Sequence, residues 1–322
     1  MSDAIAKIDA FRARRIGEML VTQNAEEFEV EPDELVDIEP LDGKQLLAQF
    51  QARHAKYATT PFDVEGNLLR MYPGGVTIWS GFPGAGKTTL LRQMICHTLN
   101  RGSSVFLASL EEDPADVLVR LAATAMGLQE PSAHGLQYFI DLYGKRFRLW
   151  GRIGIAQHVK LLAVIRKCAS EGIRHAFIDS LMCLDVANDD FEGQRRFANL
   201  VATVARAAKI HIHLVAHPRK LVSADQQLDL NDVAGAREIG GIADNVIFVR
   251  RTHDKQDYGH NADATPMCVS IRKQRHFNGA MADVTGWYQR RLRQFSLDQF
   301  PMGAQTYLPP EAFEIWPSSS GA

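Results

Sequence analysis

The sequence predicts an α/β protein with a mainly parallel central sheet covered by helices on both faces, preceded by a small helical and acidic linker region. Three observations lead there. From about Leu69 onward, apolar strand-like runs alternate with segments of helical spacing, the pattern of strands joined by crossover helices. A glycine-rich loop, Gly81 to Thr88, joins one such strand to one such helix. Polar residues suited to phosphate chemistry follow the carboxyl ends of several strands, the edge where open α/β sheets hold ligands.

The elements follow in order. Ile5 to Leu20 has helical spacing with a basic patch at Arg12, Arg14 and Arg15, and Asp42 to His54 has the spacing of another helix. Between them lies a run of acids from Glu26 to Asp42, read as a solvated linker. Strands are expected at Val76–Ser80, Val105–Ser109, Phe147–Leu149, His175–Ile178, Ile210–Val215, Asn245–Val249 and Pro266–Ile271. Helices are expected over Lys87–Asn100, Pro114–Met126, Ile155–Ser170 and Phe191–Ala208, with Gly102, Gly127 and Gly172 as stops. The expected organisation is a linker region over 1–68, a core domain over 69–296, and a Pro- and Ser-containing tail over 297–322.

The 322 residues are 46% hydrophobic and 23% charged, enough for a large core, and the net charge of −2 rules out a general polyanion binder. Contact with nucleic acid would need a local patch, and basic residues do concentrate in the last third, from Arg219 to Arg293. Cys96, Cys168, Cys183 and Cys268 are scattered without a C-x-x-C pair, so neither a disulfide framework nor a zinc ribbon is expected. With no signal peptide and no membrane-length apolar run, the expectation is a cytoplasmic protein without a membrane partner.

Gly81-Phe82-Pro83-Gly84-Ala85-Gly86-Lys87-Thr88 fits G-x-x-x-x-G-K-[ST], the phosphate-binding P-loop. Small residues let successive backbone N–H groups curl around a polyphosphate, and the following helix aims its positive end at the same charge. Lys87 reaches the terminal phosphates and the Thr88 hydroxyl ligates Mg²⁺, so ATP and Mg²⁺ are the expected cofactors. Asp179, closing an apolar strand, suits a carboxylate that holds the Mg²⁺ directly or indirectly; a strand-end Asp capping a turn is the plain alternative. Of the pair after Val105–Ser109, Glu111 is assigned as the base that orients attacking water, and Glu112 as a helix-dipole partner. His217 follows another strand, where a donor can touch the terminal phosphate; the alternative is an ordinary loop residue. His211 and His213 alternate within that strand and are read as packing or solvent-facing residues rather than ligands. Lys273 and Arg275 follow a late strand; Arg can stabilise charge on a transferring phosphoryl group, often from a neighbouring subunit, while a basic strand terminus is the plain alternative.

In this order the motifs resemble the DnaB-like, RecA-fold replicative helicases, with the nearest likeness to ring helicases of the phage T7 type and their mitochondrial relative Twinkle. Ser109-Leu110-Glu111-Glu112 followed by Arg120 resembles the second motif, Ile178-Asp179 the Walker B strand, and Ala216-His217 the phosphate-sensing position. Asp232 to Ile239, leading into Ala243 to Ile247, resembles a DNA-binding loop and the strand after it. Lys273-Gln274-Arg275 with Gly279 resembles the K-x-R finger inserted into the adjacent subunit's ATP site. The likeness covers about Gly74 to Trp287.

The resemblance implies a RecA-like P-loop NTPase core and ATP-driven DNA unwinding by a hexameric ring. It adds Thr89 and Arg120 to the nucleotide-binding residues and Lys220, Gly235, Ala236 and Arg237 to the DNA-binding ones. Single-stranded DNA, further copies of the chain and replisome proteins such as primase or polymerase are the implied partners. Departures exist. Residues 1–80 contain no recognisable primase or zinc module, the family's linker helix is loosely matched by Ile5–Leu20 or Leu46–His54, and Ala234 stands where some relatives carry Arg. Two other readings stay open: a RecA-type DNA-stimulated ATPase without unwinding, and a helicase-loader ATPase.

Overall fold

A computed structural model describes residues 42–55, 57–63, 68–186, 190–218, 230, 237–252, 263–276, 281–299, 301, 305 and 307–308. Its centre is one nine-stranded sheet in the order β3-β2-β4-β5-β1-β6-β7-β8-β9. The strands are β1 Val76–Ser80, β2 Val105–Ser109, β3 Phe147–Leu149, β4 His175–Asp179, β5 His211–Ala216, β6 Asn245–Arg251, β7 Ala264–Gln274, β8 Ala282–Gln289 and β9 Gln294–Ser296. The pairings from β3 through β6 are parallel, and those from β6 through β9 are antiparallel. The mainly parallel sheet is therefore as expected, with an antiparallel wing beyond it. The last two strands of the wing are not anticipated by the sequence reading, and β7 is longer than expected, so Lys273 lies within it rather than after it.

The helices are α1 Gly43–Ala55, α2 Lys87–Asn100, α3 Pro114–Met126, α4 Ala133–Tyr143, α5 His158–Ser170, α6 Phe191–Ala208 and the short α7 Arg237–Ile242. Strand side chains alternate between faces, which divides the core in two. Ile78, Ala108, Ile178 and Leu214 meet α5 and α6 through Leu161, Ile165, Phe197 and Val201. Trp79, Leu107, Phe177 and Val215 meet α2, α3 and α4 through Met94, Leu121 and Phe139. α3 illustrates the local logic: the Asp113 side chain accepts from Ala115 N, Pro114 occupies the first turn, and Gly127 closes the helix at φ 65°.

The folded unit extends past both expected boundaries. Phe62 is buried beside Leu69, and Ala58 pairs with Met71. Tyr307 is buried too: it accepts from Gln93 Nε2 at 2.7 Å, and its carbonyl accepts from the Tyr143 hydroxyl. α1 behaves differently, being exposed from its start through Ala52, with Leu46, Leu47 and Phe50 on its surface. No described helix is long and apolar enough to cross a membrane.

Candidate functional site

The loop Gly81–Thr88 leaves β1 at its carboxyl end and enters α2, as the spacing predicts. Gly81 is irreplaceable here: φ is 152°, and an added Cβ would lie 2.1 Å from the Val249 carbonyl oxygen. Gly84 and Gly86 also take positive φ, 75° and 98°, and Met267 Cε lies 2.9 Å from where a Gly86 Cβ would be. The Ala85 N–H donates to Phe82 O at 3.1 Å, forming the turn that contains Pro83. Phe82 anchors the loop by packing on the α5/α6 side of the core.

Lys87 is buried, and Nζ donates to the Gly81 carbonyl at 2.6 Å and to that of Phe82 at 3.0 Å. Burial pushes its pKa down, opposed by the carboxylates of Asp179 and Glu111. Thr88 donates to Asp179, and Thr89 follows it in the first turn of α2. Asp179 ends β4 beside Glu111; burial pushes its pKa up to about 6, the Thr88 hydrogen bond works against this, and the Glu111 charge adds to it.

Leu110 N donates to the Asp179 carbonyl at 2.9 Å, so Glu111 sits over the strand end. Its carboxylate accepts from the Ser180 hydroxyl at 2.8 Å and from Cys183 Sγ at 3.7 Å. Ser180 was missed by sequence reasoning, although adjacency to Asp179 pointed to it. His217 follows β5, and its pKa is lowered by burial and by Lys87 while Glu111 opposes the shift. P-loop, Glu111, Asp179 and His217 are thus brought together at the carboxyl edge.

A site of this composition suits a magnesium-bound triphosphate. Two neighbouring carboxylates, the buried one of which is costly to ionise without a counter-charge, suit a divalent cation, and Thr88 supplies a neutral oxygen beside them. The glycine cradle leaves room where a Cβ would collide.

Glu112 departs from expectation. Asp113 caps α3, while Glu112 turns to Arg92, whose Nη2 approaches to 2.6 Å, and to Arg120 at 3.7 Å. A carboxylate within reach of two guanidinium groups is better satisfied by them than by a helix end. Arg120 consequently meets Glu112 rather than the P-loop.

Lys273 and Arg275 sit elsewhere. Because β7 runs antiparallel to β6, Gln274 pairs with Asn245 at the amino edge of the sheet. Arg275 N donates to the Asp244 carbonyl at 2.9 Å, and its guanidinium reaches Asp244 Oδ1 at 3.5 Å and the Gly241 carbonyl at 3.1 Å. Lys273 Nζ donates to the carbonyls of Gly240 at 3.0 Å and Gly241 at 2.8 Å, at the end of α7. Asp244, also unflagged by sequence, is buried and accepts from Val76 N at 3.0 Å. The five residues of β1 separate this cluster from the P-loop, about 16 Å of strand. Of the expected DNA-contacting residues, Arg237 begins α7, and Lys220, Gly235 and Ala236 lie outside the described residues.

His211 and His213 prove buried. His211 bonds Thr77 Oγ1 at 2.8 Å and the Tyr72 carbonyl at 2.8 Å; His213 stacks on Phe177 at 4.0 Å and accepts from Trp79 Nε1 at 3.3 Å. His175 joins them, its Nδ1 3.2 Å from His213 Nε2.

Residues 47–222 match the family described as AAA domain. A solved ATPase domain superposes with a TM-score of 0.63 at 17% identity, covering 79% of this chain and 98% of that one. A solved DnaB-like replicative helicase, reported with its interactions with primase, superposes with a TM-score of 0.64 at 16% identity, covering 90% of this chain and 75% of that one. At such identities the likeness is one of fold. No curated protein matches the chain.

Proposed function

The chain belongs to the AAA domain family and is an ATP-hydrolysing enzyme, and on that premise we propose that it is a ring-forming motor that hydrolyses MgATP between subunits, moves along single-stranded DNA and unwinds duplex. The observation that carries this reading is the separation of Arg275 from Lys87 by the length of β1. One protomer holds a phosphate cradle on one edge and a phosphate-seeking cation on the other. Head-to-tail assembly brings the two edges together, and such contacts close into rings when the rotation between neighbours permits.

In this mechanism the backbone N–H groups of the loop Gly81–Thr89, Pro83 having none, and the Lys87 ammonium bind the triphosphate. Thr88 and Asp179 hold Mg²⁺, which when bound draws off charge from the phosphate oxygens. Glu111, steadied by Ser180, takes the proton of the attacking water. His217, kept neutral by burial and Lys87, donates toward the terminal phosphate. Arg275 stabilises the transferring phosphoryl group of the next subunit. Lys273 acts mainly as a positioning residue, since its ammonium is committed to the end of α7. Arg120 acts through Glu112 in the same way.

Two surfaces support assembly. Ile153, Ile155, Val159 and Met182 are exposed beside the Glu111 segment, where a neighbour's finger would arrive. α1 presents Leu46, Leu47 and Phe50, as a helix docking on another copy would. Coupling to DNA has a route too. Lys273 and Arg275 grip α7, which Arg237 opens, so movement of the finger is movement of the stretch proposed to hold DNA through Lys220, Gly235, Ala236 and Arg237. Backbone phosphate contacts of this kind are salt-sensitive and indifferent to sequence. The chain works in the cytoplasm, with primase or polymerase as its replisome partners.

The test is ATP turnover with and without single-stranded oligonucleotide, alongside strand displacement on a forked duplex. DNA-stimulated turnover with displacement is expected. Stimulation without displacement would remove the unwinding step and leave a DNA-dependent ATPase.

A further inference from the structure

Asp244 is 1% exposed and carries a carboxylate. Its partners come from distant parts of the chain. Oδ2 accepts from Val76 N at 3.0 Å, and the Tyr72 hydroxyl donates to the same carboxylate. Oδ1 faces Arg275 Nη1 at 3.5 Å and His276 Nε2 at 3.2 Å. The backbone repeats the pattern: Asp244 N donates to the Val76 carbonyl at 2.8 Å, and the Asp244 carbonyl accepts from Arg275 N at 2.9 Å. His276 is held in turn, its ring edge-on to Tyr72 with centroids 4.5 Å apart. Asp244 thus ties the first residue of β1 to Arg275 through main chain and side chain alike.

A backbone N–H and a phenol need only a neutral acceptor. A buried charge is costly unless a cation answers it, and Arg275, a permanent cation, brings its guanidinium to this one. Lys273 adds to the demand. Burial and the Arg275 charge both disfavour its ammonium, and Asp244 opposes them. The 3.5 Å contact is longer than an ordinary hydrogen bond, so the carboxylate aims the guanidinium without closing it off. A second support, from Nη2 to the Gly241 carbonyl at 3.1 Å, sets the plane of the fork. A fork oriented beforehand loses little freedom when it meets a phosphoryl group.

We infer that Asp244 is the positioning residue of the trans-acting finger: it acts through Arg275 on the nucleotide of the next subunit and not on the cradle of its own. This rests on the reading of Arg275 as that finger.

The test uses the full-length chain under conditions where the parent assembles. Asp244→Asn keeps an oxygen for Val76 N–H, loses the charge and turns its NH₂ toward the Arg275 guanidinium. A kcat lowered roughly tenfold or more is expected, with the KM for ATP within about twofold of the parent. Adding the substitution to Arg275→Ala should cost nothing further. Mixing Asp244→Asn with Lys87→Ala, whose finger is intact, should raise turnover above the sum of the two proteins, and mixing it with Arg275→Ala should not. The reverse pattern, a raised KM with rescue by Arg275→Ala alone, would make Asp244 a support of its own cradle through Val76 and overturns the inference. Parental turnover by Asp244→Asn beside an inactive Arg275→Ala overturns it too and leaves the finger standing; parental turnover by Arg275→Ala overturns both. Should Asp244→Asn melt below the parent, Tyr72→Phe takes its place, since it removes one donor from the carboxylate and no charge. A loss of about twofold or more in kcat with the same mixing pattern is then expected, and parental turnover overturns the inference.

Discussion

The two edges of the sheet are built by different means. The carboxyl edge is made of backbone: a loop whose positive-φ glycines clear space beside Val249 and Met267, with Lys87, Glu111 and Asp179 placed by strand and helix ends nearby. The amino edge is made of side chains that meet across long stretches of sequence. Asp244 joins Val76 to Arg275, and His175, His211 and His213 meet between strands. The first edge is a receptacle with its charges close together. The second holds an outward-facing cation and a line of neutral imidazoles. In the proposed mechanism neither edge of one protomer contains a complete phosphoryl-transfer site.

The strongest way to break that comparison is to disable each edge in a different protein. Arg275→Ala should lower ATP turnover about 10³-fold, the lower end for a trans-acting arginine, with nucleotide binding retained. Lys87→Ala should bind nucleotide poorly while keeping an intact finger. Mixing the two inactive proteins should restore part of the activity, since some interfaces then join an intact cradle to an intact Arg275. An Arg275→Ala protein that turns over at the parental rate, or a mixture that stays dead under conditions where the parent assembles, removes the division of labour between the edges.

A second test sharpens the backbone side. Gly81→Ala forces a Cβ to 2.1 Å from a carbonyl oxygen at a φ of 152°, and a loss of about 3 kcal/mol or more in urea unfolding is expected. Gly84→Ala meets nothing within 4 Å at a φ of 75°, so only the left-handed penalty of about 1–2 kcal/mol applies. Equal effects at the two glycines would mean that close approach to Val249 is not what fixes the loop.

This contrast also explains what the sequence revealed. The P-loop is contiguous, and its flanking strand and helix are strongly patterned, so fold class and cradle were legible together. Asp179 and Glu111 were legible because strand ends in parallel sheets share one edge. Asp244 was not, since its partners Val76 and Arg275 lie far away in the chain and nothing local marks the pairing. Glu112 was misassigned for the same reason: Arg92, on α2, lies behind it in sequence but beside it in space. β8 escaped notice because its partly buried side chains, Ala282 and Val284, alternate with exposed ones, Asp283 and Thr285, a weak apolar signal. Tyr307 looked like part of a tail because its contacts, with Gln93 and Tyr143, come from elsewhere.

The imidazole line gives the amino edge its own pH signature. Burial lowers the pKa of His175 to about 3 and of His211 to about 4, and holds His213 well below 6.5. The unfolded chain takes up these protons near pH 6.5 and the folded chain does not. Stability is therefore full above 6.5 and falls as pH drops toward 4. Between pH 7 and 5.5 the loss should be roughly 1 kcal/mol per imidazole, read from urea midpoints. His175→Gln should remove roughly 1 kcal/mol of the total loss. An unchanged slope would mean that the buried imidazoles do not govern acid stability.

Asp179 should move the other way, by less. Burial raises its pKa from 3.8 to about 6, so the folded chain is the better proton acceptor in that interval. Its contribution is most favourable below about 4 and is lost as pH rises through 6, because ionisation then takes place beside Glu111 in a partly dry site. Asp179→Asn keeps the shape and abolishes the ionisation, so at pH 8 and without Mg²⁺ the variant should be more stable than the parent by about 3 kcal/mol, while at pH 4 the two should nearly match. Mg²⁺ with nucleotide should narrow the gap at pH 8 by stabilising the ionised parent, and the variant should not hydrolyse ATP. A variant less stable than the parent at pH 8 would show that the Thr88 hydrogen bond outweighs burial. The carboxyl edge would then be a relaxed structural feature instead of a site whose charges are held ready for a cation.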